Sequence, residues 1–144
     1  MPKVLVIQGA GMNMRGKVQL EVFGTSTLED INKEIHGYGL DLGIELDIFH
    51  SNIEGEVVNC LYSAHDSGDV DACLINPAGW TTSSGVLRAA IAQVSFPVIE
   101  VHASNPTARG TVSTIQPVSK GSVYGFGYYG YYLALQGLKN QILK

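Results

Sequence analysis

Residues 3–9 read KVLVIQG, with Val4, Leu5, Val6 and Ile7 apolar without a break and a glycine at the end. Successive side chains of an extended segment point to opposite faces, so such a run needs cover on both sides. That is the pattern of a central parallel strand. Comparable segments recur at IELDIFHSN (44–52), VDACLINPAGW (70–80) and FPVIEVHASN (96–105), with a weaker fifth at SVYGFG (122–127). Between them lie stretches with helical spacing. Thr27 opens the first as an N-cap with Asp30 three residues on, and Leu28, Ile31 and Ile35 mark one face. The second, 53–68, has Val57, Val58, Leu61 and Tyr62 on one side, with Ser51 or Asn52 as cap and Glu54 in its first turn. The others span 84–94 and 128–143. Alternation of strands and helices predicts an α/β fold, a parallel sheet covered on both faces, in one domain over residues 1–144.

Composition narrows the function. The 144 residues are 45 % apolar and only 15 % charged, with 17 glycines, which suits tight turns and surface buried in an oligomer. A net charge of −4 and the lack of a basic stripe argue against nucleic acid as a partner. Cys60 and Cys73 sit in apolar segments without metal-ligand spacing and read as buried free thiols. No apolar run approaches the roughly 18 residues of a membrane span, so a soluble, cytoplasmic protein is expected. A GxxxxGK[ST] loop, a GxGxxG after the first strand and a GxSxG elbow are all missing, which weighs against nucleotide binding and a serine nucleophile. A flavin-binding carrier would rest on fold analogy alone and lacks a phosphate loop.

In parallel sheets ligands bind beyond the carboxyl ends of the strands. Those ends supply GMNMRGKVQLEVFG (11–24), His50 to Glu54, Asn76 to Ser84, and Glu100 to Arg109. Glu100 and His102 alternate on one strand and so share a face. A carboxylate beside an imidazole fixes its tautomer and favours the charged ring, which suits a general acid. Asn76, before Pro77, can orient a hydroxyl or a water. Ser104 and Asn105, before Pro106, offer a hydroxyl and backbone N–H groups to a carboxylate, and Arg109 suits an anionic or hydroxylated ligand. TTSSG (81–85) opens the next helix with hydroxyls and free N–H groups. His36 and His65 fall in amphipathic helices and should face solvent; His50 is open.

The segments HSNIEGEVVNCL, LINPAGWTTSSGVLRAAI, PVIEVHASNPTARG and GFGYYGYYLAL occur in this order and span nearly the whole chain. Together they resemble the type II 3-dehydroquinate dehydratases. The resemblance implies a flavodoxin-like three-layer fold with a five-stranded parallel sheet, assembled as a trimer-based dodecamer. It implies water elimination from a small cyclic carboxylate, a hydroxy-keto acid, through an enolate, with no metal or organic cofactor. It further implies that His102, with Glu100 beside it, protonates the departing hydroxyl and that Asn76 stands at the active site. Ser104 and the backbone after it would hold the substrate carboxylate, and Arg109 a substrate hydroxyl.

The departures cluster on the other half of the site. The family lid reads like GPNLNLLGxREPxxYG, its tyrosine removing a proton and its arginine activating that tyrosine. In this lid, which includes Asn13 and Arg15, the tyrosine position is Phe23, the arginine position Val18 and the asparagine after GP Gly11. A carboxylate-binding histidine is replaced by Thr82, the helix aspartate after Arg88 by Ala89, and the glutamate after Arg109 by Gly110. Phenylalanine does not titrate, and loss of a general base removes about 10²–10⁴-fold in rate. Two readings follow. One is a dehydratase with a rebuilt base, drawn from Lys17, Glu21 or the tyrosines of 124–132, with Arg15 lowering a neighbouring pKa. The other is a catalytically impaired homologue that binds a small cyclic carboxylate or serves as an assembly partner.

Overall fold

The computed structural model describes residues 1–82 and 85–143. Ser83 and Ser84, and with them part of the expected helix opening, lie outside the described residues. Strand β1 (Lys3–Ala10) leads through the lid, with its one-turn helix α1 (Leu20–Phe23), to α2 (Leu28–Leu42) and β2 (Glu45–His50). Then come α3 (Glu54–Ser67), β3 (Ala72–Ala78), α4 (Gly85–Gln93), β4 (Val98–His102), β5 (Gly121–Tyr124) and α5 (Tyr129–Gly137). The strands pair in parallel in the order β2-β1-β3-β4-β5, the flavodoxin-like arrangement.

The unbroken apolar run of β1 is explained by its two cores. Val4 and Val6 pack with Ala72, Leu74, Ile31, Ile35 and Leu135 beneath α2 and α5. Leu5 and Ile7 pack with Ile75, Val57, Leu61, Leu87 and Ile91 beneath α3 and α4. Full burial of each such aliphatic side chain stabilises by about 1.5–3 kcal/mol. Because both faces are covered, polar side chains gather where strands end. At Gly9 the chain also passes tightly over β3: a Cβ there would lie 2.3 Å from the Pro77 carbonyl oxygen.

The helix starts divide. Thr27 caps α2 reciprocally: its Oγ1 accepts from Asp30 N–H at 3.2 Å, and its own N–H donates to Asp30 Oδ2 at 3.1 Å. For α3 the expectation was wrong, because Ile53 is the N-cap and makes no side-chain cap bond. Ser51 Oγ instead accepts from Ile53 N–H at 2.9 Å and donates to Glu56, while Asn52 turns toward the lid. Tyr62 stands outside the buried stripe, its hydroxyl reaching over the surface to Gln93 Oε1 at 2.5 Å. Cys73 is buried but Cys60 only half-buried, and both are free. The last helix is shorter than its apolar pattern suggests. It widens into a π-helical turn at Leu138–Ile142, where Lys139 Nζ caps the end of α2 by donating to Leu42 O at 2.8 Å.

Candidate active site

A cavity of about 490 Å³ opens at the carboxyl ends of β1, β3 and β4. Its place follows from topology: the chain crosses from β1 to β2 on one side and returns to β3 on the other, so the connecting loops diverge there. Gly11, Arg15, Val18 and Phe23 line it from the lid, Asn76 from the end of β3 and Thr82 beyond it, and His102 from the end of β4 with Ser104 and Arg109 beyond it. Glu100, Asn13 and Asn105 do not line it. Glu100 sits behind His102, and the other two are exposed to solvent.

Glu100 and His102 meet as their strand spacing requires, with Glu100 Oε2 2.5 Å from His102 Nε2. Both are deeply buried, at 0 % and 6 % exposure. The carboxylate is held from two further elements: Ser113 Oγ donates to Oε2 at 2.6 Å and the Tyr124 hydroxyl to Oε1 at 3.1 Å. Burial, and then the Glu100 charge, push the Tyr124 phenol up to about 12, so it stays a donor. Its ring also meets the His102 imidazole edge-on, 4.8 Å between centroids. Three donors on one carboxylate offset its desolvation and orient the imidazole. Tyr124 entered the sequence analysis only as a member of a tyrosine cluster, and Ser113 not at all.

Asn76 is equally constrained. Its Oδ1 accepts from Ala78 N–H and its Nδ2 donates to the Tyr131 hydroxyl, both at 3.1 Å. Tyr131 in turn donates to Gln8 Oε1 at 2.7 Å, and Gln8 Nε2 donates to Asn32 Oδ1 at 3.2 Å. Burial raises the Tyr131 phenol, with the Asn76 and Gln8 hydrogen bonds working against it. Ala78, at φ 46, adopts a left-handed conformation that L-residues disfavour, at the point where β3 turns along the cavity. On the β4 side, Arg109 Nη1 donates to Ser104 Oγ at 3.1 Å.

The lid is pinned at both ends. Met12 is fully buried, and Gly11, at φ 88, donates its N–H to Asn52 Oδ1 at 2.9 Å. The Tyr128 hydroxyl donates to the Phe23 carbonyl at 3.1 Å. Arg15 lays its guanidinium on the Phe23 ring, 3.8 Å from the centroid. Burial lowers the Arg15 pKa, and neighbouring Tyr128 and Tyr131 oppose that. Burial raises Tyr128, and Arg15 opposes that. Lys17 and Glu21 are exposed and do not line the cavity. The phenols of Tyr124, Tyr128 and Tyr131 donate to Glu100, Phe23 and Gln8. No replacement base drawn from these residues therefore presents a free proton acceptor to the cavity. Among the described residues, no three His, Cys, Asp or Glu side chains converge as metal ligands do.

The sheet order and the strand-end cavity define a flavodoxin-like α/β chain with a small-molecule site. Residues 2–139 match the family model Dehydroquinase class II. A 3-dehydroquinate dehydratase of Geotalea daltonii is 42 % identical over 145 residues, covering 99 % of each chain. The type II dehydroquinase of Butyrivibrio crossotus superposes with a TM-score of 0.91 at 32 % identity, over 96 % of this chain and 98 % of that one. A 3-dehydroquinate dehydratase-like protein of Bifidobacterium longum superposes with a TM-score of 0.75 at 30 % identity over the whole of both chains. The chain belongs to the class II dehydroquinase family.

Proposed function

We propose that the chain is a hydro-lyase that eliminates water from 3-dehydroquinate or a related cyclic hydroxy-keto acid through an enolate. The observation that carries this reading is the buried Glu100–His102 pair at the cavity wall. Glu100 occupies His102 Nε2, which leaves Nδ1 as the ring nitrogen for the departing hydroxyl. Asn76 has one N–H left after Tyr131, and it points the role of that amide toward a ligand oxygen. Ser104 and the backbone after it hold the ligand's carboxylate, and Arg109, hydrogen-bonded to Ser104 Oγ, reaches the same end of the ligand and its hydroxyl, with Thr82 supplying a hydroxyl where a histidine would offer a ring nitrogen. Gly11, Val18 and Phe23 shape the lid without titrating.

Removal of the proton is the slow step in this reading, because Phe23 cannot accept it. A site that keeps its acid but not its base gives up about 10²–10⁴-fold in rate. Purified protein mixed with 3-dehydroquinate should form the conjugated enone slowly, at a rate that depends on His102. Saturable binding that is lost in Arg109→Ala, without turnover of any cyclic hydroxy-keto acid, would leave only a binding protein. The exposed Leu40, Phe126 and Tyr129 support assembly into a homo-oligomer, and light scattering after size-exclusion chromatography tests that.

A further inference from the structure

Arg15 is a cation without a counter-ion. It lines the cavity and is partly buried, and no ion pair among the described residues involves it. Its one close planar contact is the Phe23 ring. Stacking of this kind uses the face of the guanidinium; of its five in-plane N–H donors the Tyr128 hydroxyl meets one side, which leaves the others for a further partner. In the family pattern given above, the residue at this position is leucine, so the charge belongs to this chain's own lid.

The rest of the cavity wall has the same sign. Beside Arg15 it carries Arg109 and, among the described residues, no aspartate or glutamate. The whole chain, by contrast, has 13 acidic against nine basic residues. Glu100, behind His102, is already engaged by His102, Ser113 and Tyr124. Arg15 comes from the lid after β1 and Arg109 from the turn after β4, so the two cations approach a ligand from different walls. Partly buried positive charge without an anion is costly, and a ligand's anionic oxygens would offset that cost.

We propose that the cavity takes a small dianion, one anionic group held by Arg109 and Ser104 and a second held by Arg15. This rests on the cavity being the substrate site, and adds to monocarboxylates such as 3-dehydroquinate a class of tighter ligands, cyclic hydroxy acids carrying a second carboxylate or a phosphate. Arg15 is then a specificity-determining residue. Phe23 serves as the platform that aims it.

Calorimetric titration with three probes on one ring tests the proposal: cyclohexanecarboxylate, cyclohexane-1,3-dicarboxylate and 3-phosphooxycyclohexanecarboxylate. A charge-assisted pair predicts that at least one dianion binds about tenfold tighter than the monoanion. Which dianion does so identifies the second group. Arg15→Leu should abolish the preference, Arg15→Lys should keep part of it, and Lys33→Gln, a charge control on the exposed face of α2, should keep all of it. Thermal unfolding checks that each variant is folded; if Arg15→Leu is not, Arg15→Gln takes its place. Dianions no tighter than the monoanion, or a preference surviving in folded Arg15→Leu, would overturn the proposal. The functional reading would survive that result if the monocarboxylate still binds and Arg109→Ala abolishes it. Binding of none of the three would overturn both.

Discussion

Tyr131 accepts a hydrogen bond from Asn76 Nδ2 at 3.1 Å, although 55 residues separate the two in sequence. Since Ala78 N–H binds Asn76 Oδ1, the amide of Asn76 is held in one orientation with a single N–H to spare. Tyr131→Phe would leave Asn76 Nδ2 and Gln8 Oε1 without this partner, and both residues are buried. Each unmet group costs about 1–3 kcal/mol. Urea denaturation should show a loss in that range, and rescue of ligand affinity should not follow from stabilising osmolyte alone. An unchanged midpoint would contradict the network.

The phenols also set an alkaline limit. The folded chain holds the protons of Tyr124 and Tyr131 more firmly than the unfolded chain, whose tyrosines titrate near the ordinary phenol value of 10.0. Above that pH the folded state binds more protons than the unfolded state, so stability is level below it and falls as pH rises. For Tyr124 the window runs from 10.0 to about 12. The urea midpoint should therefore drop across that window, and less steeply in Tyr124→Phe. Equal slopes in the two proteins would sink this account.

Asn52 ties the lid to the start of α3 through Gly11 N–H at 2.9 Å. Asn52 is exposed and makes no helix cap, so Asn52→Ala should cost about 1 kcal/mol or less in stability. Ligand affinity should fall more, because the lid that carries Arg15 and Phe23 loses its anchor. Calorimetry beside thermal unfolding separates the two effects. A stability loss with unchanged affinity would make Asn52 a purely structural residue.

Restoring the missing phenol tests the base. Phe23→Tyr with Val18→Arg should raise enone formation from 3-dehydroquinate by about 10²-fold or more, if proton removal is limiting. The neighbouring Arg15, 3.8 Å from the present ring, can itself favour a phenolate there. No gain would mean that Gly11, Thr82 and Ala89 have respecified the pocket as well.

Where sequence reasoning succeeded, a local periodicity carried the information. The unbroken β1 run meant cover on both faces, and the two-residue strand period put Glu100 beside His102. Where it failed, the partners were distant. Ser113 and Tyr124 reach Glu100 from 13 and 24 residues away, and Tyr131 reaches Gln8 from 123. Asn52 was misread because a helix cap and a lid anchor call for the same short amide. The stacking of Arg15 on Phe23 had no periodic signal at all. That Phe23 stands where the family lid carries a tyrosine was legible only through the resemblance, since nothing local marks a phenylalanine as a replaced tyrosine.

The most direct test is enone formation by the wild-type chain and by His102→Ala, with ligand binding followed in parallel. The account predicts slow turnover in the wild type and a further fall of about 10²–10⁴-fold in His102→Ala, with binding retained. Turnover that is the same in both proteins, or absent with every cyclic hydroxy-keto acid, would contradict it.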